Sequence, residues 1–353
     1  MSDFAVEVED LTKEYQIQRG WKAVVRSPWS RDTRVVLDRV NLQVDHGEFF
    51  GILGQNGAGK STLFRILSTL VRPDSGSARV MGHDVAREAA EVRDRLIPVI
   101  PSERSLYWRV SAEENLRLYA ALYGVPAARV DARISEVLEL VGLQDTMGKQ
   151  VGLYSSGMKQ RLLIARALLG SPDVLLLDEP TRSMDPVSAR DFRSFLKRQV
   201  SEVDQTTVLL ATHDHEEVTE LCERVAVLDR GRLLAVGPTD SLLASSKLRR
   251  CGVWTRHPDH PAIPREVARI GGRVLEVPTP EGPVEAGWSR VTVEFPGGEE
   301  EGAALLARLT AQGVSVSRFT RVDLSLADLL ERVRDSEAVP ATRGSDVQGQ
   351  GAA

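Results

Sequence analysis

The chain has 353 residues, 42% of them hydrophobic and 27% charged, with a net charge of -5. Those proportions suit one large globular unit with a smaller appendage, and the acidic balance argues against nucleic acid as the main partner. No stretch approaches the roughly 18 to 20 consecutive apolar residues of a membrane helix. The start MSDFAVEVED lacks the basic and apolar segments of a secretory signal, and Cys222 and Cys251 make no metal-ligand spacing, so free thiols in a reducing cytoplasm are expected.

Residues 4–17 alternate in polarity, and Val40, Leu42 and Val44 alternate again, which predicts two half-buried strands. Between them lies RGWKAVVRSPWSRDTR (19–34), with five basic residues, one acid and two tryptophans. Two readings stand for this insert: a surface element at a lipid headgroup boundary, or a solvated loop with its tryptophans packed on the domain. FFGIL (49–53) then predicts a buried strand, followed by a glycine-rich turn and a helix from Lys60 to Leu70.

Residues 111–170 read as helical, with Ser111 and Glu114 forming a capping box and Gly124 ending the first helix. Val130, Ile134, Val137, Leu138 and Val141 mark a second helix, and a third runs from about Met158 to Leu169. An α/β core resumes with VLLL (174–177), a helix opening at Asp185-Pro186 and a closing strand TVLLAT (207–212). Proline and small polar residues around 238–262 predict a linker. Beyond it, VTVEF (291–295), a helix over Glu299–Gln312, a strand at Val314/Val316 and a short helix capped by Ser325 and Asp328 predict a small α+β domain. The composition from Ser336 onward predicts disorder.

Chemistry concentrates in three places. GQNGAGKST (54–62) fits G-x-x-x-x-G-K-[ST] between a strand and a helix. Gly54, Gly57 and Gly59 let the backbone curl so that the N–H groups of the turn, through Gln55, Asn56, Ala58 and Thr62, face phosphate oxygens. Lys60 brings a cation to the β- and γ-phosphates of a nucleotide, and the Ser61 hydroxyl suits Mg²⁺. VLLLDEP (174–180) ends a buried strand with two acids: Asp178 suits the Mg²⁺ shell and Glu179 the attacking water. YSSGMKQR (154–161) reads either as an anion-facing helix start or simply as a capped helix. His213, Asp214 and His215 offer alternating positions that point apart, with no third metal ligand at suitable spacing.

In content and order these motifs resemble the ABC ATPase family over about residues 4–240. GQNGAGKST looks like its Walker A, YSSGMKQR its signature motif, LLLDEP its Walker B, TRSMD (181–185) its D-loop and His213 its switch histidine. The resemblance implies a P-loop α/β fold with an antiparallel β subdomain, an inserted helical subdomain (about 97–170) and an accessory α+β domain. The implied division is 1–240 for the ATPase, 241–262 for the linker, 263–335 for the accessory domain and 336–353 for the tail.

It implies a head-to-tail homodimer with ATP between the Walker A of one copy and Ser155, Ser156, Gly157 and Met158 of the other. Asp185 would join that site and Tyr15 would stack on adenine, unless Tyr15 is an ordinary surface aromatic. The family's Q-loop glutamine is missing, since no glutamine occurs between Gln55 and Gln144. Its place falls at Ser102, a substitute Mg²⁺ ligand, with Glu103 beside it.

The motif wording, the following domain and SLADLLERV (325–333) most resemble motor subunits of drug-resistance exporters, and the 19–34 insert those of polysaccharide exporters. Such a motor sits on the cytoplasmic face of the membrane against a separate multi-helix permease, gripped through residues 100–123, Tyr107 and Trp108 among them. A soluble ABC ATPase outside transport and a regulatory ATP-binding subunit with weak hydrolysis are the alternatives.

Overall fold

The computed structural model describes residues 3–16, 33–100, 106–182, 184–200, 206–243, 248–276 and 288–321. Residues 19–32 of the basic insert, Ser102, Glu103, the SLADLLERV segment and the tail lie outside the described residues.

A six-stranded sheet forms the centre, built of β3 (Phe49–Leu53), β6 (Leu96–Val99), β7 (Val174–Asp178), β8 (Thr207–Thr212), β9 (Arg224–Asp229) and β10 (Arg232–Pro238), in the order β10-β9-β3-β8-β7-β6. All its neighbours run parallel except β9 and β10, which form a hairpin. Strands buried on both faces need apolar side chains at every position, and β3 and β8 are buried along their whole length. Successive residues therefore feed two different cores. Phe49, Leu53, Leu175, Leu177, Val208 and Leu210 face one, while Phe50, Ile52, Val174, Leu176, Leu209 and Ala211 face the other.

The second core is closed by an antiparallel sheet in the order β2-β1-β4-β5, from β1 (Val6–Gln16), β2 (Thr33–Val44), β4 (Ser75–Val80) and β5 (His83–Asp84). Helices α1 (Lys60–Leu67) and α2 (Ala89–Arg95) contribute Leu63, Phe64, Ile66, Leu67 and Val92 to it. The first core is closed by α3 (Ala112–Leu122), α4 (Val130–Leu140) and α5 (Ser156–Leu168), with α6 (Pro186–Phe195) and α7 (His215–Leu221) beside them. The Ser111–Glu114 capping box forms as expected, and Gly124 turns the chain at φ +71°.

After α8 (Thr239–Leu243), a third sheet takes the order β12-β13-β11-β14 from β11 (Leu248–Thr255), β12 (Arg273–Glu276), β13 (Ser289–Pro296) and β14 (Val316–Arg321). With α9 (Ala262–Arg269) and α10 (Glu299–Ala311), the connectivity is β-α-β-β-α-β, the ferredoxin-like arrangement. Its core holds Cys251, Val253, Ile263, Val267, Val293, Phe295 and Leu309.

Several boundaries differ from expectation. Helix α1 stops at Leu67 rather than Leu70, because Thr69 takes a left-handed φ of +62°. Helix α5 starts at Ser156 rather than Met158, because the Ser155 side chain caps it. Ile97 belongs to β6 of the central sheet, so the helical block begins later than residue 97. The core does not close at Thr212 but continues through β9 and β10. The segment read as a 241–262 linker contains β11, an interior strand of the third sheet. The prolines at 258 and 261 mark only the turn after it, while Cys251, Val253 and Thr255 alternate inward.

Candidate functional site

The carboxyl ends of β3, β7 and β8, adjacent and parallel, converge on one cleft. The turn after β3 is Gly54–Gly59, and Gly59 sits at φ +116°, a region costly for any residue with a Cβ. Gly54 is required by closeness instead: a Cβ there would stand 2.4 Å from the Leu228 carbonyl oxygen at the end of β9. Its N–H donates to the Thr212 carbonyl at 3.1 Å, which ties the turn to β8. From the other side, the N–H of Gly231 in the β9–β10 turn donates to the Ala58 carbonyl at 2.8 Å.

Lys60, the first residue of α1, is 4% exposed. Its Nζ donates to the carbonyls of Gly54 at 2.7 Å and Gln55 at 3.2 Å, and lies 3.6 Å from Glu179 Oε1. Burial lowers the lysine pKa, while the Glu179 and Asp178 charges oppose that shift. The turn thus holds its cation against its own carbonyls and one carboxylate.

Asp178 ends β7. Burial raises its pKa, and a hydrogen bond with the Ser61 side chain acts against that shift. Its Oδ1 is buried with no hydrogen-bond partner among the described residues. A carboxylate oxygen kept dry and unpaired beside a serine hydroxyl is the donor set a hard cation takes, and Ser61 and Asp178 fit Mg²⁺. Glu179 follows at φ +47°, a backbone conformation uncommon outside glycine, with its N–H on the Ala211 carbonyl of β8 at 2.8 Å. That strained turn presents Oε1 to Lys60 and to His213 Nδ1, the latter at 3.2 Å, and Oε2 to Arg182 Nη1 at 3.2 Å.

The cleft measures about 350 Å³ and is lined among others by Asn56, Gly57, Ser61, Thr62, Ser156 and Gln160. Ser156 and Gln160 therefore face the same space as Lys60 within one chain. Ser155 caps α5 by accepting from the Met158 N–H at 3.2 Å, with Gly157 between them in the first turn. Asp185 is a helix cap as well: it accepts from the N–H groups of Val187 and Ser188 at 3.1 and 3.0 Å and does not line the cleft. Tyr15 lies on β1 opposite Arg34, with the Lys13 ammonium 5.5 Å from its ring centroid, and is also outside the cleft lining. Among the described residues, no three His, Cys, Asp or Glu side chains cluster as a metal site, His213 and His215 included.

Sequence reasoning missed Val36, which lines the cleft because the sheet topology brings β2 there, and gave no role to two members of TRSMD: Met184 also lines the cleft and Arg182 holds Glu179. Arg182 had a visible signal, since it stands three residues after Glu179 in a short turn.

Residues 37–182 match the family model described as ABC transporter. The chain is 39% identical over 208 residues to the ABC transporter ATP-binding protein NatA of Bacillus subtilis (strain 168), covering 59% of this chain and 84% of that one. It is 37% identical over 278 residues to the daunorubicin resistance ATP-binding protein DrrA3 of Streptomyces coeruleorubidus, covering 79% of each. Among solved structures it is similar to a dimeric ATP-binding cassette in a post-hydrolysis state, bound to ADP and Pi. That likeness has a TM-score of 0.55 and 25% identity over 66% of this chain and 98% of the other.

Proposed function

The chain belongs to the ABC transporter family as an ATP-binding, ATP-hydrolysing subunit, and from that premise we propose that it drives a separate membrane-spanning permease in export. One observation carries the catalytic half of this reading: the Glu179 carboxylate meets both Lys60 and His213 at the mouth of a glycine turn. Glu179 orients and deprotonates the attacking water, Lys60 holds the β- and γ-phosphates, and His213 steadies the γ-phosphate and the Glu179 carboxylate. Ser61 and Asp178 would hold Mg²⁺, which when bound would supply charge neutralisation to the phosphoryl group.

A second copy completes the site in this reading, each copy offering the Ser155–Met158 turn, exposed at Ser155 and Ser156, to the other's phosphate loop. The dimeric cassette bound to ADP and Pi supports that arrangement. Tyr15 and Asp185 join it only on closure, because neither lines the cleft of the single chain. No helix among the described residues is long and apolar enough to cross a membrane, and the proposal gives that passage to a multi-helix partner. Tyr107 and Trp108, 56% and 47% exposed, form the surface that grips it at the membrane's cytoplasmic face. The cargo is of drug, lipid or polysaccharide type, a class to which the daunorubicin-resistance relative lends support.

The reading also divides the chain at the end of β10, with the third sheet as an accessory domain. Its test is recovery of the chain from gently solubilised membranes with whatever accompanies it. A stoichiometric multi-helix protein is expected, whereas a soluble complex or ribosomes would overturn the exporter assignment and leave the ATPase standing.

A further inference from the structure

Glu217 stands in the first turn of α7 at 1% exposure, a carboxylate in a place where burial raises its pKa. Helix α7 does not need it as a cap, because Asp214 already accepts the Glu216 N–H at 2.9 Å. A lone carboxylate is costly to bury unless its oxygens are used. They face two threonines. The Thr181 hydroxyl donates a hydrogen bond to Oε1, and the Thr212 side chain lies near enough to act against the burial shift.

Those threonines occupy telling positions. Thr181 follows Glu179 by two residues, and its carbonyl accepts from the Met184 N–H at 3.0 Å, which shapes the turn carrying Arg182. Thr212 immediately precedes His213. Its hydroxyl accepts from the Asp214 N–H at 2.9 Å, and its carbonyl holds Gly54 of the phosphate turn. A single buried side chain on a third element thus spans the loop of the candidate base and the loop of the histidine. Its other charged neighbours are Asp214 and Arg193, and Arg193 is itself clamped by Glu216 and Glu220.

We infer that Glu217 is a positioning residue for ATP hydrolysis, bridging Thr181 and Thr212 so that Glu179 and His213 stay 3.2 Å apart. The inference rests on the hydrolase reading above. It predicts a division of effects that a packing role would not give, since misplacing catalytic groups by a fraction of an ångström slows chemistry while binding energy elsewhere is kept.

The experiment uses the full chain with Glu217→Leu, Glu217→Gln and Thr181→Val, alone and combined. Glu217→Leu fills the space but cannot bridge, and should lower kcat about 10- to 100-fold. In a Glu179→Gln background its Kd for Mg-ATP should stay within about two-fold, since the phosphate contacts are untouched. Glu217→Gln can accept from one threonine and donate to the other, and should recover kcat to within about three-fold of the parent. Thr181→Val placed on Glu217→Leu should cost less than it does alone, because the two act as one unit.

Turnover of Glu217→Leu as fast as the parent, a parallel loss of ATP binding, or a Gln variant as slow as Leu would each overturn the inference. A parent chain without turnover would instead overturn the hydrolase reading and this inference with it.

Discussion

The central body and the third sheet both bury carboxylates, and they treat them oppositely. In the third sheet Glu294 is fully buried, and each of its oxygens meets a guanidinium: Arg250 at 3.3 Å and Arg273 at 3.1 Å. In the cleft, Asp178 keeps one oxygen without a hydrogen-bond partner among the described residues, and the Glu179 side chain, on a left-handed backbone, lies between Lys60, His213 and Arg182. Satisfied buried charge fixes a shape. Buried charge left short of partners costs stability, and that cost is tolerated where a ligand completes the coordination. On the proposed function, that contrast points to the cleft without reference to any motif.

The largest expected effect comes from Glu179→Gln, which keeps the shape and removes the base. Turnover should fall by about 10²- to 10⁴-fold while ATP binding persists, measured as phosphate release and as equilibrium nucleotide binding. Equal loss of both would break the comparison, because Glu179 would then be holding structure as Glu294 does.

Asp178→Asn should also lower Mg-dependent turnover, by less than the Glu179 change, yet raise the melting temperature of the nucleotide-free chain. The sign follows from the shift. The folded pKa lies above the ordinary 3.8, so the folded chain holds that proton more firmly and stability falls as pH rises through the interval. The amide removes this cost. A melting temperature lowered across neutral pH would contradict it.

Glu294→Ala should do the reverse. It strands Arg250, itself mostly buried, and should destabilise the third sheet on the order of 2–3 kcal/mol, less than a fully buried pair because Arg273 stands largely in solvent. Turnover should hold within about two-fold, since no cleft residue is touched. Urea unfolding followed beside phosphate release separates the two. The smallest effect on turnover belongs to the double change Tyr107→Ala and Trp108→Ala. Basal hydrolysis should be unchanged and transport by the membrane-bound complex lost; transport at the parent's rate would remove these aromatics from the docking surface.

Chemistry was far more legible in the sequence than architecture. A glycine turn, a lysine and two acids after an apolar strand are the residue types phosphate and metal chemistry calls for, so Gly54–Thr62 and Asp178–Glu179 stand out as candidates. Strands β3, β7 and β8 were equally plain, because burial on both faces demands unbroken apolar runs. Strand β4, SGSARV, was not, since an antiparallel strand with one polar face and four small residues resembles a loop. Strand β11 was masked by the prolines beyond it. No local pattern could join Thr181 to Glu217, which lie 36 positions apart and meet only because β7 and β8 are neighbours.

The β9–β10 turn has a consequence of a different kind. The Gly231 amide proton rests on the Ala58 carbonyl of the phosphate turn, and the Gly231 carbonyl accepts from the Asp38 N–H at 2.8 Å. When that turn is drawn tight around a ligand, its opening fluctuations should slow, and the Gly231 proton should exchange with deuterium more slowly in step. A single backbone amide in the β9–β10 turn becomes a native isotopic gauge of occupancy, readable without dye or substitution.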